Sequence, residues 1–270
     1  MCSSDLFKRN LVSYYMFFHV GKKRTRKHNA HIASYLSFVA GMINVIGVLY
    51  IGLFTTNVTG HVGLWASEFS KANFYVGSFF LLYVLSFLAG AFLSTLLIEI
   101  IIKNKLPSRF IAPVLLECLL IIVVFADETY FNFGGQHFVG CLLLMAMGIQ
   151  NSLVTIISDS IVRTTHLTGM FTDLGIELAQ LLLFKKKDFQ RRLKMKIKLR
   201  LNIIFFFFLG GTIGGLLFVM IHIKSLLFVV ATLLFALFFD LILLRFRIIR
   251  HRRRRRLALR LAREKSLLKK

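Results

Sequence analysis

Two hydroxyl-rich runs, TTNVTG at 55–60 and TTHLTG at 164–169, and three amides, Asn44, Gln150 and Asn151, are the side chains here best suited to hold a small solute. The amides stand inside apolar stretches, where such a group needs a hydrogen-bonding partner or a polar cavity. Their oxygens could ligate a cation and their NH2 groups an anionic or hydroxylated solute. The other use open to them is hydrogen bonding between helices. Within the runs, Thr56, Asn57, Thr59, Gly60, Thr165, His166, Thr168 and Gly169 offer hydroxyls, amides and exposed backbone. Each run ends in Gly and leads into a helix-like pattern, so Thr59 and Thr168 are expected as N-caps. As helix breaks in the membrane, the runs would meet a solute from its two sides; as interfacial turns, they would only cap helices.

Among titratable groups, Glu117 is the one carboxylate deep in an apolar stretch. A lone acid there is costly and points to proton or ion coupling. His61, and less directly His166, are of the residue type that changes charge near neutral pH, although interfacial polar roles are commoner. Cys2, Cys118 and Cys141 form no CxxC or Cys/His cluster, which argues against a disulfide framework or a zinc site. Asn57-Val58-Thr59 fits a glycosylation sequon, a match most often due to chance. No HExxH, GxSxG, P-loop or GxGxxG run occurs, so no enzyme, no cofactor and no metal site is expected.

The elements that must position these groups are membrane helices. Of 270 residues, 57% are hydrophobic, with 29 Phe and only 2 Pro, outside the range of soluble domains. Runs of about 20 apolar residues are needed to span, and 32–54, 73–102, 110–127, 136–158, 200–222 and 225–244 qualify. They lack the alternation of a β-barrel, so the expected fold class is all-α, a polytopic bundle of about six transmembrane helices.

The net charge of +23 is concentrated at the ends and in two connections, those holding Lys103, Lys105 and Arg109, and Lys185 to Lys198. Basic connections face the cytoplasm, which predicts N-in and C-in and places 55–72, 128–135 and 222–224 outside. Residues 11–20 are too short to span and read as an interfacial segment. The expected organisation is a basic N-terminal segment (1–30), a six-helix domain (31–247) and a basic tail (248–270). Leu257, Leu261 and Leu268 in that tail make an apolar side suited to anionic lipid headgroups; no nucleic-acid partner is expected.

The halves of the domain, about 31–128 and 136–247, resemble each other. Gly41 and Asn44 match Gly148 and Asn151; after a two-residue difference in length, Thr56, Thr59 and Gly60 match Thr165, Thr168 and Gly169. SFLAGAFLSTLL (86–97) laid on FFLGGTIGGLLF (207–218) places Gly90 on Gly211. Two units of three helices must enter from opposite faces, an inverted 3+3 repeat common in secondary transporters. Small residues spaced by four, Ser86, Gly90 and Ser94, and Gly210, Gly211, Gly214 and Gly215, are expected where helices pack closely.

The segments AGMINVIGVL, TTNVTGHVGL, MGIQNSLV and TTHLTGMFTDLG resemble the YoaK-type family of bacterial membrane proteins of unknown function, over about 33–247. The resemblance implies an inner-membrane protein of about six helices and brings no substrate with it. Two functions remain open at this stage. One is a small-solute or ion transporter with Asn44 and Asn151 meeting near the bilayer centre. The other is a membrane scaffold or regulator whose tail engages lipid or a partner.

Overall fold

The computed structural model describes residues 26–104, 110–131, 134–158, 165–239 and 242. The expected interfacial segment at 11–20 and the basic tail at 248–270 lie outside them. The described chain is helical, with no strand among the described residues. Its elements are α1 (Arg26–Ile51), α2 (Val58–Ser70), α3 (Phe74–Lys103), α4 (Ile111–Ala126) and a π turn (Asp127–Phe131). They continue with α5 (Gly135–Ser158), α6 (Leu167–Leu183), α7 (Lys187–Ile221), a 3-10 turn (His222–Lys224) and α8 (225–239).

Among the described residues, four helical stretches are long and apolar enough to cross a membrane: Ala30–Ile51, Phe74–Lys103, Gly135–Ile157 and Lys187–Phe239. The last is α7 and α8 joined through His222, whose φ of 50° breaks the helix. Phe92, Phe208, Phe235 and Phe238 are 62%, 71%, 66% and 64% exposed. Aromatic surface at that density on the outer helices is stable against lipid and not against water. The helix-like patterns that follow the two hydroxyl-rich runs form the short helices α2 and α6, while α7 starts well before residue 200, through its basic first turns.

At the centre lie α1 and α5, with 67% and 61% of their apolar windows buried against 22% for α3. α1 packs most extensively on α7, and α3 on α5. The contacts climb in register: Ser34 meets Asn202, Gly41 meets Gly211, and Tyr50 meets Phe218. On the other pair Tyr83 meets His137, Gly90 meets Met145, and Thr95 meets Ser152. Both pairs therefore run parallel. For α3 and α5 to be parallel neighbours, the chain between them must return along the bundle, and α4, at about 24 Å, is the element available for that passage.

Glycine permits these close pairings. A Cβ on Gly41 would stand 2.1 Å from the Phe207 carbonyl oxygen, and one on Gly148 2.1 Å from that of Phe87. Reciprocally, a Cβ on Gly210 would lie 2.0 Å from Phe38 O and one on Gly90 2.0 Å from Met145 O. Phe38 and Met145 each precede the matching glycine, Gly41 or Gly148, by one helical turn. Gly90 thus corresponds to Gly210, one residue from the alignment on Gly211; adjacent glycines left the letters ambiguous, and the backbone contact decides. Gly211 and Gly215 instead face Val45, and Ser86 donates to its own helix at Leu82 O.

Burial recurs with the same register. Buried and half-buried positions follow the same order over 32–48 and 139–155, with Asn44 and Asn151 the one difference. Gly77, Tyr83, Gly90 and Ser94 on α3 recur as Ile197, Ile203, Gly210 and Gly214 on α7. The buried stripe Pro113, Val114, Glu117, Cys118, Ile121 and Val124 on α4 recurs as Ser225, Leu226, Val229, Val230, Leu233 and Ala236 on α8.

Candidate functional site

After α1 ends, Gly52 turns the chain at φ 70° and the TTNVTG run folds back along the helix it has just left. Thr55 seats its methyl group on Gly47, where a Cβ would lie only 2.6 Å from it. That return brings Thr56 to Asn44: Asn44 Oδ1 accepts from the Thr56 amide at 3.2 Å and from its hydroxyl at 2.9 Å. Asn44 is 7% exposed. The second run does the same, the Thr165 hydroxyl donating to Asn151 Oδ1 at 2.6 Å. A match read in the letters is thus also a match of hydrogen bonds.

The two amides do not form one pair. Among the described residues no hydrogen bond joins Asn44 to Asn151; each is tied to its own run. Gln150, fully buried, donates from Nε2 to the Leu36 carbonyl at 2.9 Å. Asn151 therefore lies near the level of Leu36, eight residues before Asn44 on α1, an axial offset of about 12 Å. Side chains of Leu36, Ala40, Ile43, Leu143 and Met147 fill the core beside them. In place of one central pair of amides there are two Asn–Thr pairs at different levels. Asn44→Leu is expected to cost about 1 kcal/mol more than Asn151→Leu, since it orphans two donors and not one. Unfolding of both variants in a denaturing-detergent titration measures the difference.

The caps also differ from expectation. Asn57, not Thr59, caps α2, its Oδ1 accepting from Gly60 N at 3.0 Å. Gly60 leaves space for that side chain, whose Nδ2 would lie 2.5 Å from a Cβ. His166, not Thr168, occupies the N-cap of α6, with no side-chain cap bond. Both helices begin one residue after the central Asn or His of the run, which leaves Thr59 and Thr168 inside the first turn, exposed, as is Gly169.

His61 is 3% exposed, and its Nε2 donates to Phe54 O at 2.9 Å. It stands edge-on to Tyr83 with centroids 5.5 Å apart. Burial lowers its pKa, partly opposed by the bond to Phe54, which favours the neutral ring and weakens its case as a proton carrier near neutral pH. Glu117 is 0% exposed, and neither carboxyl oxygen has a hydrogen-bonding partner among the described residues. The matching residue on α8 is Val229.

Two groupings were not anticipated. Arg200 on α7 binds Glu177 on α6 through Nε to Oε2 at 3.0 Å and Nη2 to Oε1 at 3.1 Å, and reaches Asp173 Oδ2 at 2.9 Å. Their signal lay in the repeat, because Glu177 takes the place of Glu68. On the other side Glu68 is held locally: Lys71 donates at 2.8 Å and Asn73 at 2.9 Å, and Lys71 above all keeps its pKa below the usual carboxylate range. The second grouping, Tyr83 with His137 Nδ1 at 2.5 Å, joins residues with no shared motif. No cluster of three metal-ligating side chains occurs among the described residues.

A family model described as a protein of unknown function (DUF1275) matches residues 32–239, from the first turns of α1 to the end of α8. The chain belongs to this family. It is similar to the UPF0700 transmembrane protein YoaK of Bacillus subtilis (strain 168), with 27% identity over 157 residues, covering 58% of this chain and 70% of that protein. No solved structure matches. The matched region contains both Asn–Thr pairs, Gln150 and Glu117. Together with the apolar helices, this makes the chain a transmembrane protein.

Proposed function

We propose that this protein is a six-span carrier of a small polar solute or ion in a bacterial inner membrane. It is built from two three-span units of opposite orientation and coupled to protons at Glu117. The observation that carries the reading is Glu117 itself, fully buried with both oxygens unpartnered among the described residues. Where its counterpart position holds Val229, packing has no need of a carboxyl. A group whose charge changes on releasing one proton, with no cation paired to it among the described residues, is suited to meeting a mobile ion or solute.

The repeated architecture is supported by the recurring burial and by the parallel packing of α1 with α7 and α3 with α5. In a six-span chain these are spans 1 and 5 and spans 2 and 4, each pair crossing in one direction. Asn44–Thr56 and Asn151–Thr165 are then equivalent polar pairs in oppositely oriented halves, fitted to engage a solute in turn from the two sides. A reporter fused after residue 130 is expected outside and one after residue 190 inside; both on one side would end the six-span reading.

Transport is tested in proteoliposomes with a trapped pH dye, adding solutes from a broad metabolite panel. Solute-dependent proton movement is expected in the wild type and not in Glu117→Gln. The apolar filling between α1 and α5 favours the rival reading, a non-transporting scaffold. That reading prevails if no solute moves protons or raises the melting temperature of the folded protein.

A further inference from the structure

A groove of about 390 Å³ runs between α6 and α7, where the basic first turns of α7 give way to its apolar length. Lys194 and Lys198 stand one turn apart on its rim, and Leu181, Leu201 and Phe205 line its wall. From Lys198 to Phe205 the helix rises about 10 Å, comparable to the passage from a lipid headgroup into the acyl region. The nearby Arg200 is already engaged by Asp173 and Glu177. Lys194 and Lys198 have no ion-pair partner among the described residues, so two cationic heads overlook an apolar channel without an anion.

In the other half, the matching face of α3 is covered by aromatic rings. There Gly77 lies under Phe69 and Trp65, whose ring atoms would be 3.3 and 3.6 Å from its Cβ. Phe74 and Ser78 stand where α7 has Lys194 and Lys198. Where one half has two lysines over an apolar groove, the other has Phe74 and Ser78, beside a glycine covered by two aromatic rings.

We propose that this groove binds an anionic phospholipid of the cytoplasmic leaflet, with its phosphate between Lys194 and Lys198 and an acyl chain along Leu181, Leu201 and Phe205. The inference rests on the membrane placement of α7 proposed above and is independent of solute transport. Two ammonium groups meet a phosphodiester as point charges, and each interfacial lysine adds appreciable attraction to an anionic headgroup.

The test uses the full-length protein in neutral detergent, with native mass spectrometry after titration of phosphatidylglycerol or phosphatidylcholine. The wild type is expected to retain phosphatidylglycerol preferentially. Lys194→Gln/Lys198→Gln should bind it about tenfold more weakly, while Lys185→Gln/Lys186→Gln, outside the groove, changes it by less than about twofold. Excess inorganic phosphate should leave the bound lipid in place. Equal losses in both double variants, equal retention of phosphatidylcholine, displacement by phosphate, or unchanged binding in the groove variant would each overturn the proposal. Melting curves identify a variant that has merely misfolded, in which case Lys194→Arg/Lys198→Arg, expected to retain binding, is read against Lys194→Gln alone. The reporter after residue 190 independently reads the placement of α7, so failure of that reading is distinguishable from loss of this site.

Discussion

Gly41→Val and Gly148→Val are each expected to destabilise the bundle by about 3 kcal/mol or more, enough to remove most folded protein from the membrane fraction. The reason is geometric: the first atom of any side chain would stand 2.1 Å from a carbonyl oxygen of the neighbouring helix, and no rotamer avoids it. Moving α7 away from α1, or α3 from α5, would give up the two most extensive helix pairings among the described residues. Gly90→Val and Gly210→Val, at 2.0 Å from the facing carbonyls, should behave alike. Gly63→Ala and Gly175→Ala, where a Cβ meets nothing within 4 Å, serve as controls. They should be neutral or slightly stabilising, since alanine favours the helix by about 1 kcal/mol. Denaturing-detergent unfolding and yield in mild detergent measure both sets. Tolerance of valine at the four packed glycines equal to that of alanine at the two controls would show that the helices do not touch as described.

Glu117→Val is expected to raise stability by about 1 kcal/mol or more while abolishing solute-linked proton movement. A buried carboxyl without partners is a cost that folding must offset, whereas Val229 shows the same place on α8 filled by a branched apolar side chain. Glu117→Gln should abolish coupling too, with no comparable gain, because its amide enters the same unpartnered environment. Opposite movement of stability and activity is the pattern of a site kept for function. A loss of stability in both variants would show that Glu117 is held by the fold and would remove the coupling role.

Much was already determined by the residues in order. The apolar lengths required helices, since a backbone in lipid must satisfy its own hydrogen bonds. The matched Gly41, Asn44 and Thr56 against Gly148, Asn151 and Thr165 located the polar positions worth examining, and isolation in an apolar run singled out Glu117. These are local signals, readable from hydropathy and spacing alone. The sequence could not specify partners across helices, because those depend on which faces meet. Asn44 and Asn151 were expected to face each other, yet the chain returning over Gly47 brings Thr56 to Asn44 first, and Gln150 settles at Leu36. The helix starts were displaced because a cap is chosen by where the turn ends, and Asn57 arrives before Thr59. Only packing resolved whether Gly90 answers to Gly210 or Gly211, and only packing joined Arg200 to Asp173 and Glu177 across two helices. Hydropathy is summed along one chain, but a contact is decided by two surfaces at once, and that second surface is supplied by tertiary structure.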